Sequence, residues 1–193
     1  MRSPFSLREV TPDDAELILK WRTSEKVTKF MNTDVVYDMD AQKQWISGCY
    51  DKETYYHWII LYEKSPVGLF NVQDYCEQKK TTSWGFYIGE NNLDGLSGFI
   101  PPFFYNWFFY RLGVSEVKVE VFYSNFGVIR LHQLHGYRFT PTFDRVIHKK
   151  NKDILLISMS LCSSDWDHNR YKKFQMKFPI NNWSKAPRSI KTQ

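Results

Sequence analysis

Between Trp84 and Gly136 the chain reads as one continuous strand-helix-strand-helix unit, and this unit restricts the possible folds more than any other stretch. Trp84-Gly85-Phe86-Tyr87-Ile88-Gly89 is a run of β-formers closed by glycine. Asn92-Leu93-Asp94-Gly95-Leu96-Ser97-Gly98 then makes a turn-like loop, an aromatic helix follows, and Glu116 to Phe122 returns as a second strand. Ser124-Asn125 opens a last helix that stops at His135-Gly136-Tyr137. A helix of roughly four turns between the two strands is what a crossover between parallel strands requires. A strand feeding a Gly-rich turn at a helix N-terminus brings unpaired backbone N–H groups and the positive helix end to one point. The expectation is a phosphate-bearing cofactor.

The flanking segments supply the rest of the architecture. Ser6 to Val10 alternates as a first strand, and Thr11-Pro12 caps and opens a helix carrying Leu17, Ile18 and Trp21 at helical spacing. Shorter helical pieces are predicted around Ser24 to Phe30 and from Asp40 to Cys49. Tyr55 to Tyr62 and Val67 to Val72 form a hairpin pattern, with Thr82 to Gly89 as the third antiparallel strand. Tyr137 to Val146 and Ile154 to Leu161 close the chain as another hairpin. The predicted order is β-α-α-α-β-β-β-α-β-α-β-β, an α/β (α+β mixed) fold with a central mixed sheet of about seven strands and helices on both faces. Residues 1 to 162 are read as one domain. After Cys162 the periodicity fades, so 163 to 193 is expected to be an appendage, partly ordered at best.

Composition removes several function classes. Residues 163 to 193 hold seven basic and two acidic residues, while 1 to 162 hold 19 of each. No basic nucleic-acid face is therefore indicated on the body, and no nucleic acid is expected as a partner. Cys49, Cys76 and Cys162 show neither disulfide nor metal-ligand spacing, which suits free thiols, a reducing compartment and no metal site. No leader pattern and no membrane-length apolar run is present, so the expected location is cytoplasmic.

With the cofactor turn and its flanking elements in place, the chain resembles the GNAT acyl-CoA N-acyltransferase superfamily over about residues 5 to 161. The family's cofactor loop matches at Asn92, Gly95 and Ser97, with Gly98 as a further unencumbered amide; Pro101-Pro102 removes two N–H groups near the helix start. The helix motif after the second strand matches from Ser124-Asn125 through His135-Gly136-Tyr137. The resemblance implies acetyl-CoA as cofactor and a V-shaped splay between the two parallel strands that admits the pantetheine arm. It places Ile88, Asn92, Gly95, Leu96, Ser97, Gly98 and Asn125 at the cofactor. Where relatives carry a Tyr that protonates the leaving thiolate, this chain has His132, and Tyr123 and Tyr137 are substitute acids. An imidazole with an ordinary pKa of about 6.5 can carry that proton if a carboxylate is close.

The acceptor amine needs a base, because an amino group with a pKa of about 8 is mostly protonated at neutral pH. Glu120 is the candidate: Val117, Val119 and Val121 alternate onto one side of their strand and leave Lys118, Glu120 and Phe122 on the other. Glu90 is a second possibility. Ile18-Leu19-Lys20-Trp21-Arg22, Phe30-Met31, Val67 to Asn71 and Trp84 to Ile88 are most similar to nucleotide-sugar N-acetyltransferases acting on UDP-linked 4-amino-4,6-dideoxy sugars of the pseudaminic acid route. That resemblance puts Met31, Asn32, Trp45, Trp84 and Tyr87 near a nucleotide-sugar substrate, with a homodimer as a possible assembly. It shares its Trp-Arg helix with enzymes that acetylate protein N-termini, and a GNAT-like module that binds coenzyme A without turnover is the alternative from outside the enzymes. No cysteine lies where an acyl-enzyme would form, so direct transfer in a ternary complex is expected.

Overall fold

The computed structural model describes residues 3–93, 95 and 97–183. The described residues form one sheet from β1 (Phe5–Glu9), β2 (Tyr56–Tyr62), β3 (Ser65–Cys76), β4 (Thr81–Ile88), β5 (Glu116–Phe122), β6 (Arg138–Phe139), β7 (Arg145–Lys149) and β8 (Lys152–Cys162). The order is β1-β2-β3-β4-β5-β8, with β6 and β7 pairing successive parts of β8. Only β4 and β5 run parallel. The strand expected from Tyr137 to Val146 is split into β6 and β7, because Pro141 cannot donate to a ladder and opens a 3-10 turn at Pro141–Phe143.

Helices α1 (Ala15–Thr23), α2 (Glu25–Thr28) and α3 (Met39–Cys49) lie on one face of the sheet. Helices α4 (Pro101–Tyr110) and α5 (Phe126–Leu134) lie on the other. Strand alternation sorts the side chains: Ile59 and Leu69 pack with Ile18 and Ile46, whereas Trp58, Phe70 and Trp84 pack with Phe104 and Phe108. The crossover helix is shorter than expected. Pro101 sets its start, and 3-10 turns at Asn91–Leu93 and Ser97–Phe99 use up the residues before it.

The segment after Cys162 also differs from the expectation, since residues 163–183 pack into the core. Every residue of α4 from Pro101 to Phe109 is buried, so this helix has no polar side to give to water and must be covered all round. The cover comes from Trp166, Phe178 and Trp183, with α6 (His168–Tyr171) between them. Phe178 stacks on Trp107 at 4.0 Å between ring centroids. Asn106, the polar residue on α4, donates to the carbonyls of Tyr171 and Phe174 and accepts from the Trp166 indole N–H at 2.9 Å. Farther along, the buried Glu9 carboxylate accepts from the backbone N–H groups of Asn181 and Asn182. Lys185, Arg188 and Lys191 of the basic tail lie outside the described residues. No helix among the described residues is long and apolar enough to cross a membrane.

Candidate active site

The sheet opens between β4 and β5. Their pairing is confined to Thr81↔Glu116, Thr82↔Val117 and Ser83↔Lys118, while β5 stays paired with β8 from Glu116 to Phe122. Each strand keeps its outer ladder, so the two halves of the sheet diverge at the cost of one ladder only. A cleft of about 1430 Å³ runs through this opening and is lined from both faces of the sheet. Splay and passage are the fit that a long, thin, thioester-ended cofactor needs.

On the α5 side, Ser97, Asn125, Val128 and His132 line the cleft together with Ile88 at the end of β4. The donors of α4's own first turn are spent: Pro101 and Pro102 have none, the Ile100 N–H goes to the Ser97 carbonyl and the Phe103 N–H to that of Ile100. What remains for an anion is the turn upstream of the helix. An added Cβ at Gly95 would meet nothing within 4 Å, so the space beside it is open, and Gly98 lies against Leu131 of α5. Asn125 begins α5 without a side-chain capping bond, which leaves its amide available to the cleft. The Leu96 position lies outside the described residues.

On the α1–α3 side, Met31, Asn32, Trp45 and Tyr87 line the cleft together. The loop bearing Met31 and Asn32 is pinned by the buried Lys149 of β7, whose ammonium donates to the carbonyls of Thr28 and Met31 at 2.6 Å and pairs with Asp34 at 3.1 Å. Arg22 fastens the same loop by donating to the carbonyl and hydroxyl of Thr33. Gly89 has no room for a side chain, because a Cβ would fall 2.1 Å from the Trp21 ring. Trp21 in turn donates to Glu90 at 2.9 Å, so Glu90 anchors α1. Trp84 lines the same cleft from the other side of the sheet. It sits on the opposite face, in the aromatic core, with its indole N–H donated to the Tyr137 hydroxyl at 2.8 Å.

The four candidates for proton transfer meet different fates. Glu120 faces the cleft, but Arg145 grips both its carboxylate oxygens at 2.6 and 2.7 Å. His132 is 5 % exposed and is walled by Trp84, Tyr105 and Tyr137. Burial, with His135 as a smaller influence, pushes its pKa down to about 3. The expected imidazolium is thus corrected to a neutral imidazole, because the surroundings are rings and a second histidine instead of a carboxylate. Tyr123, expected as a substitute acid, is 56 % exposed, packs on Phe126 and does not line the cleft. Tyr137 is buried, accepts from Trp84 and lies outside the lining as well.

This geometry agrees with the comparisons to known proteins. The family model for the acetyltransferase (GNAT) domain matches residues 7–155. The chain belongs to the GNAT acetyltransferase family. Acetyltransferase PseH of Campylobacter jejuni is similar at 22% identity over 129 residues, covering 67% of this chain and 80% of PseH. Among solved structures, the spermidine N-acetyltransferase of Vibrio cholerae with CoA and spermine superposes with a TM-score of 0.76 at 11% identity, over 85% of this chain and 98% of that one. An aminoglycoside acetyltransferase in complex with coenzyme A reaches 0.67 at 12% identity, over 86% and 99%. At those identities the two structures show a shared fold. As a GNAT acetyltransferase the chain is an acyltransferase whose acyl donor is acetyl-CoA.

Chemically, this GNAT cleft can bring a thioester from one face of the sheet to an amine from the other, with the Glu120 carboxylate on the α1–α3 side and the neutral His132 imidazole on the α5 side. None of Cys49, Cys76 and Cys162 lines it, and burial pushes the Cys49 thiol up to about 11, which suits transfer without an acyl-enzyme. Among the described residues no group of His, Cys, Asp or Glu could hold a metal ion. Several lining residues escaped the sequence reading: Tyr55, His57, Asn71, Arg22 and Arg145. His57 carried a signal, being a polar residue in a strand otherwise made of apolar and aromatic side chains. Arg145 carried none, since it meets Glu120 across a β-bridge partner, β8, that only the folded sheet supplies.

Proposed function

We propose that this acetyltransferase acts on the amino group of a nucleotide-linked amino sugar of the UDP-4-amino-4,6-dideoxy type, with transfer in a ternary complex. The observation that carries this reading is the acceptor wall. Trp45 and Tyr87 offer aromatic faces, Met31 a thioether and Asn32 an amide, a combination suited to a base or sugar ring. Its charges do not call for a polycation. Arg22, Lys26 and Lys29 line the wall, and of its carboxylates Glu120, Glu116 and Asp34 are already matched by Arg145, Lys118 and Lys149, while Asp38 caps α3 and Asp74 is the remaining acidic residue. A polycation would need those carboxylates itself. The similarity to the acetyltransferase PseH and the resemblance of the sequence to nucleotide-sugar N-acetyltransferases point the same way.

In this reading the turn at Gly95, Leu96, Ser97 and Gly98, with Asn92, holds the cofactor's diphosphate, and Ile88 and Asn125 hold its arm. Acetyl-CoA supplies the acetyl group as a thioester. Glu120, fixed by Arg145, keeps lone pairs free to take the amine's proton through a water. His132 donates a hydrogen bond from its neutral ring on the cofactor side. Trp84 and Tyr137 position that ring by packing.

The decisive experiment offers the protein acetyl-CoA with a UDP-4-amino-4,6-dideoxy sugar, spermidine or a peptide N-terminus, and reads the products by mass spectrometry. One acetyl group gained by the sugar supports the reading; acetylation of spermidine or peptide alone overturns it. Replacing His132 with Phe is expected to lower turnover by roughly 10²-fold, and an unchanged rate would remove it from the mechanism.

A further inference from the structure

Next to the ring faces of the predicted acceptor wall lies a small group of polar atoms that the proposed reaction does not use, the Tyr87 hydroxyl among them. Sheet register sets His57 of β2 opposite Asn71 of β3, and Asn71 opposite Gly85 of β4. The adjoining row on the same face is Ile59, Leu69 and Tyr87. His57, Asn71, Gly85 and Tyr87 all line the cleft. His57 is 2 % exposed, with the rings of Tyr55 and Trp45 set edge-on against it at 4.2 and 4.8 Å. Its Nδ1 atom and the Tyr87 hydroxyl are both buried and without a hydrogen-bond partner.

Two such atoms on one face of the same three strands call for a reason, because a buried polar group left unpaired costs stability. Packing alone would be served equally well by phenylalanine at both positions. Gly85 adds a second, independent sign. A Cβ there would come 3.0 Å from the Asn71 amide oxygen, so the missing side chain keeps the floor of the cleft open above that amide. Burial pushes the His57 pKa down to about 3 and raises that of Tyr87. Both groups are therefore neutral at neutral pH, and the recess neither supplies nor balances a full charge.

We infer that His57, Asn71 and Tyr87 form an uncharged hydrogen-bonding subsite that reads a neutral polar substituent of the acceptor, a hydroxyl or acylamino group distinct from the amine that reacts. The inference rests on the α1–α3 side of the cleft being the acceptor side. A substituent that reaches either orphaned atom satisfies it, and an acceptor without one leaves both buried and unpaired. Discrimination follows from that difference.

The test compares the full-length protein with His57→Phe, His57→Asn and Tyr87→Phe, using the UDP-4-amino-4,6-dideoxy sugar and acetyl-CoA as substrates. In His57→Phe the acceptor KM is expected to rise roughly tenfold, with the acetyl-CoA KM unchanged and the melting temperature equal to or above that of the parent. His57→Asn, whose amide oxygen can stand in for Nδ1, is expected to recover most of that loss. The ¹⁵N resonances of the His57 ring are expected to shift on adding acceptor and to stay in place on adding coenzyme A. An unchanged acceptor KM in both Phe variants overturns the subsite. So does a fall in melting temperature that moves kcat and both KM values together, since a purely structural role predicts that pattern. If His57→Phe does not fold, Tyr87→Phe, which loses a single oxygen, decides. Should the wild type acetylate spermidine or a peptide instead of the sugar, the same comparison run with that amine tests the subsite apart from the sugar assignment.

Discussion

The two faces of strands β2 to β4 are built on opposite principles. Toward α4, the sheet presents Trp58, Phe70 and Trp84 to a block of stacked rings, and the strands' own polar atoms are matched there, Trp58 donating to the Pro179 carbonyl and Trp84 to Tyr137; the unpartnered Nδ1 atoms on this side, of His135 and His168, belong to the end of α5 and to α6. Toward α1 and α3, the same strands present His57 and Tyr87, which bury polar atoms without partners. Strand side chains with their hydrogen bonds complete have nothing to offer a ligand, and those with open donors and acceptors give up stability to keep them. The aromatic face, with residues 163–183 strapped across it, supplies the rigidity that lets the other face remain incomplete.

The contrast can be broken most severely at Trp58, which is fully buried and touches Phe70, Trp107, Phe178 and Trp183. Trp58→Ala is expected to cost about 3 to 5 kcal/mol in urea denaturation and to release hydrogen-exchange protection in residues 163–183. Retained protection there would show that the strap does not depend on the core beneath it.

Acid acts on both faces at once. Burial holds His57 and His132 near about 3 and His135 near about 4, below the unfolded value of about 6.5. Between these limits the unfolded chain binds protons that the folded chain refuses. Stability is therefore complete above about pH 6.5 and falls as the pH drops toward 4, by at most about 3 kcal/mol for each ring. Chemical denaturation at pH 7.5 and 4.5 measures this, and equal midpoints would mean that the three rings are not buried as neutral groups.

Asn106→Leu probes how the matched face is matched. It leaves the Trp166 N–H and the carbonyls of Tyr171 and Phe174 without their partner, and about 2 to 3 kcal/mol of stability is expected to go with it. Lys149→Met should act mainly on the open face. The loop carrying Met31 and Asn32 loses its pin, so the acceptor KM is expected to rise by about tenfold with the acetyl-CoA KM unaltered, for about 1 to 2 kcal/mol of stability. Equal changes in both KM values would show that the pin serves the whole fold instead. The smallest effect on stability is expected at Glu120→Gln. Its pair with Arg145 is half open to solvent, so less than about 1 kcal/mol should be lost, while turnover falls if Glu120 takes the proton.

Much of the architecture was legible in residue order. The run from Trp84 to Gly136 encodes β4, α4, β5 and α5 because glycines, prolines and alternating valines are local signals, read over a few residues. The cleft was legible in part: Met31, Asn32, Trp45 and Tyr87 line one side of it, whereas Trp84 lines it from the other face. The strap was missed, although α4 held the clue, as a helix with apolar residues on every side demands a cover that the preceding elements do not provide.

The sequence by itself determined which segments are strands and helices, the parallel crossover at β4 and β5, and the family to which the chain belongs, since all of these follow from patterns along the chain. Tertiary structure alone decided the protonation state of His132, the engagement of Glu120 by Arg145, and the pair of unmatched atoms at His57 and Tyr87. Desolvation and hydrogen bonding depend on what surrounds a group in space, and for each of these residues the surroundings come from segments distant in the sequence.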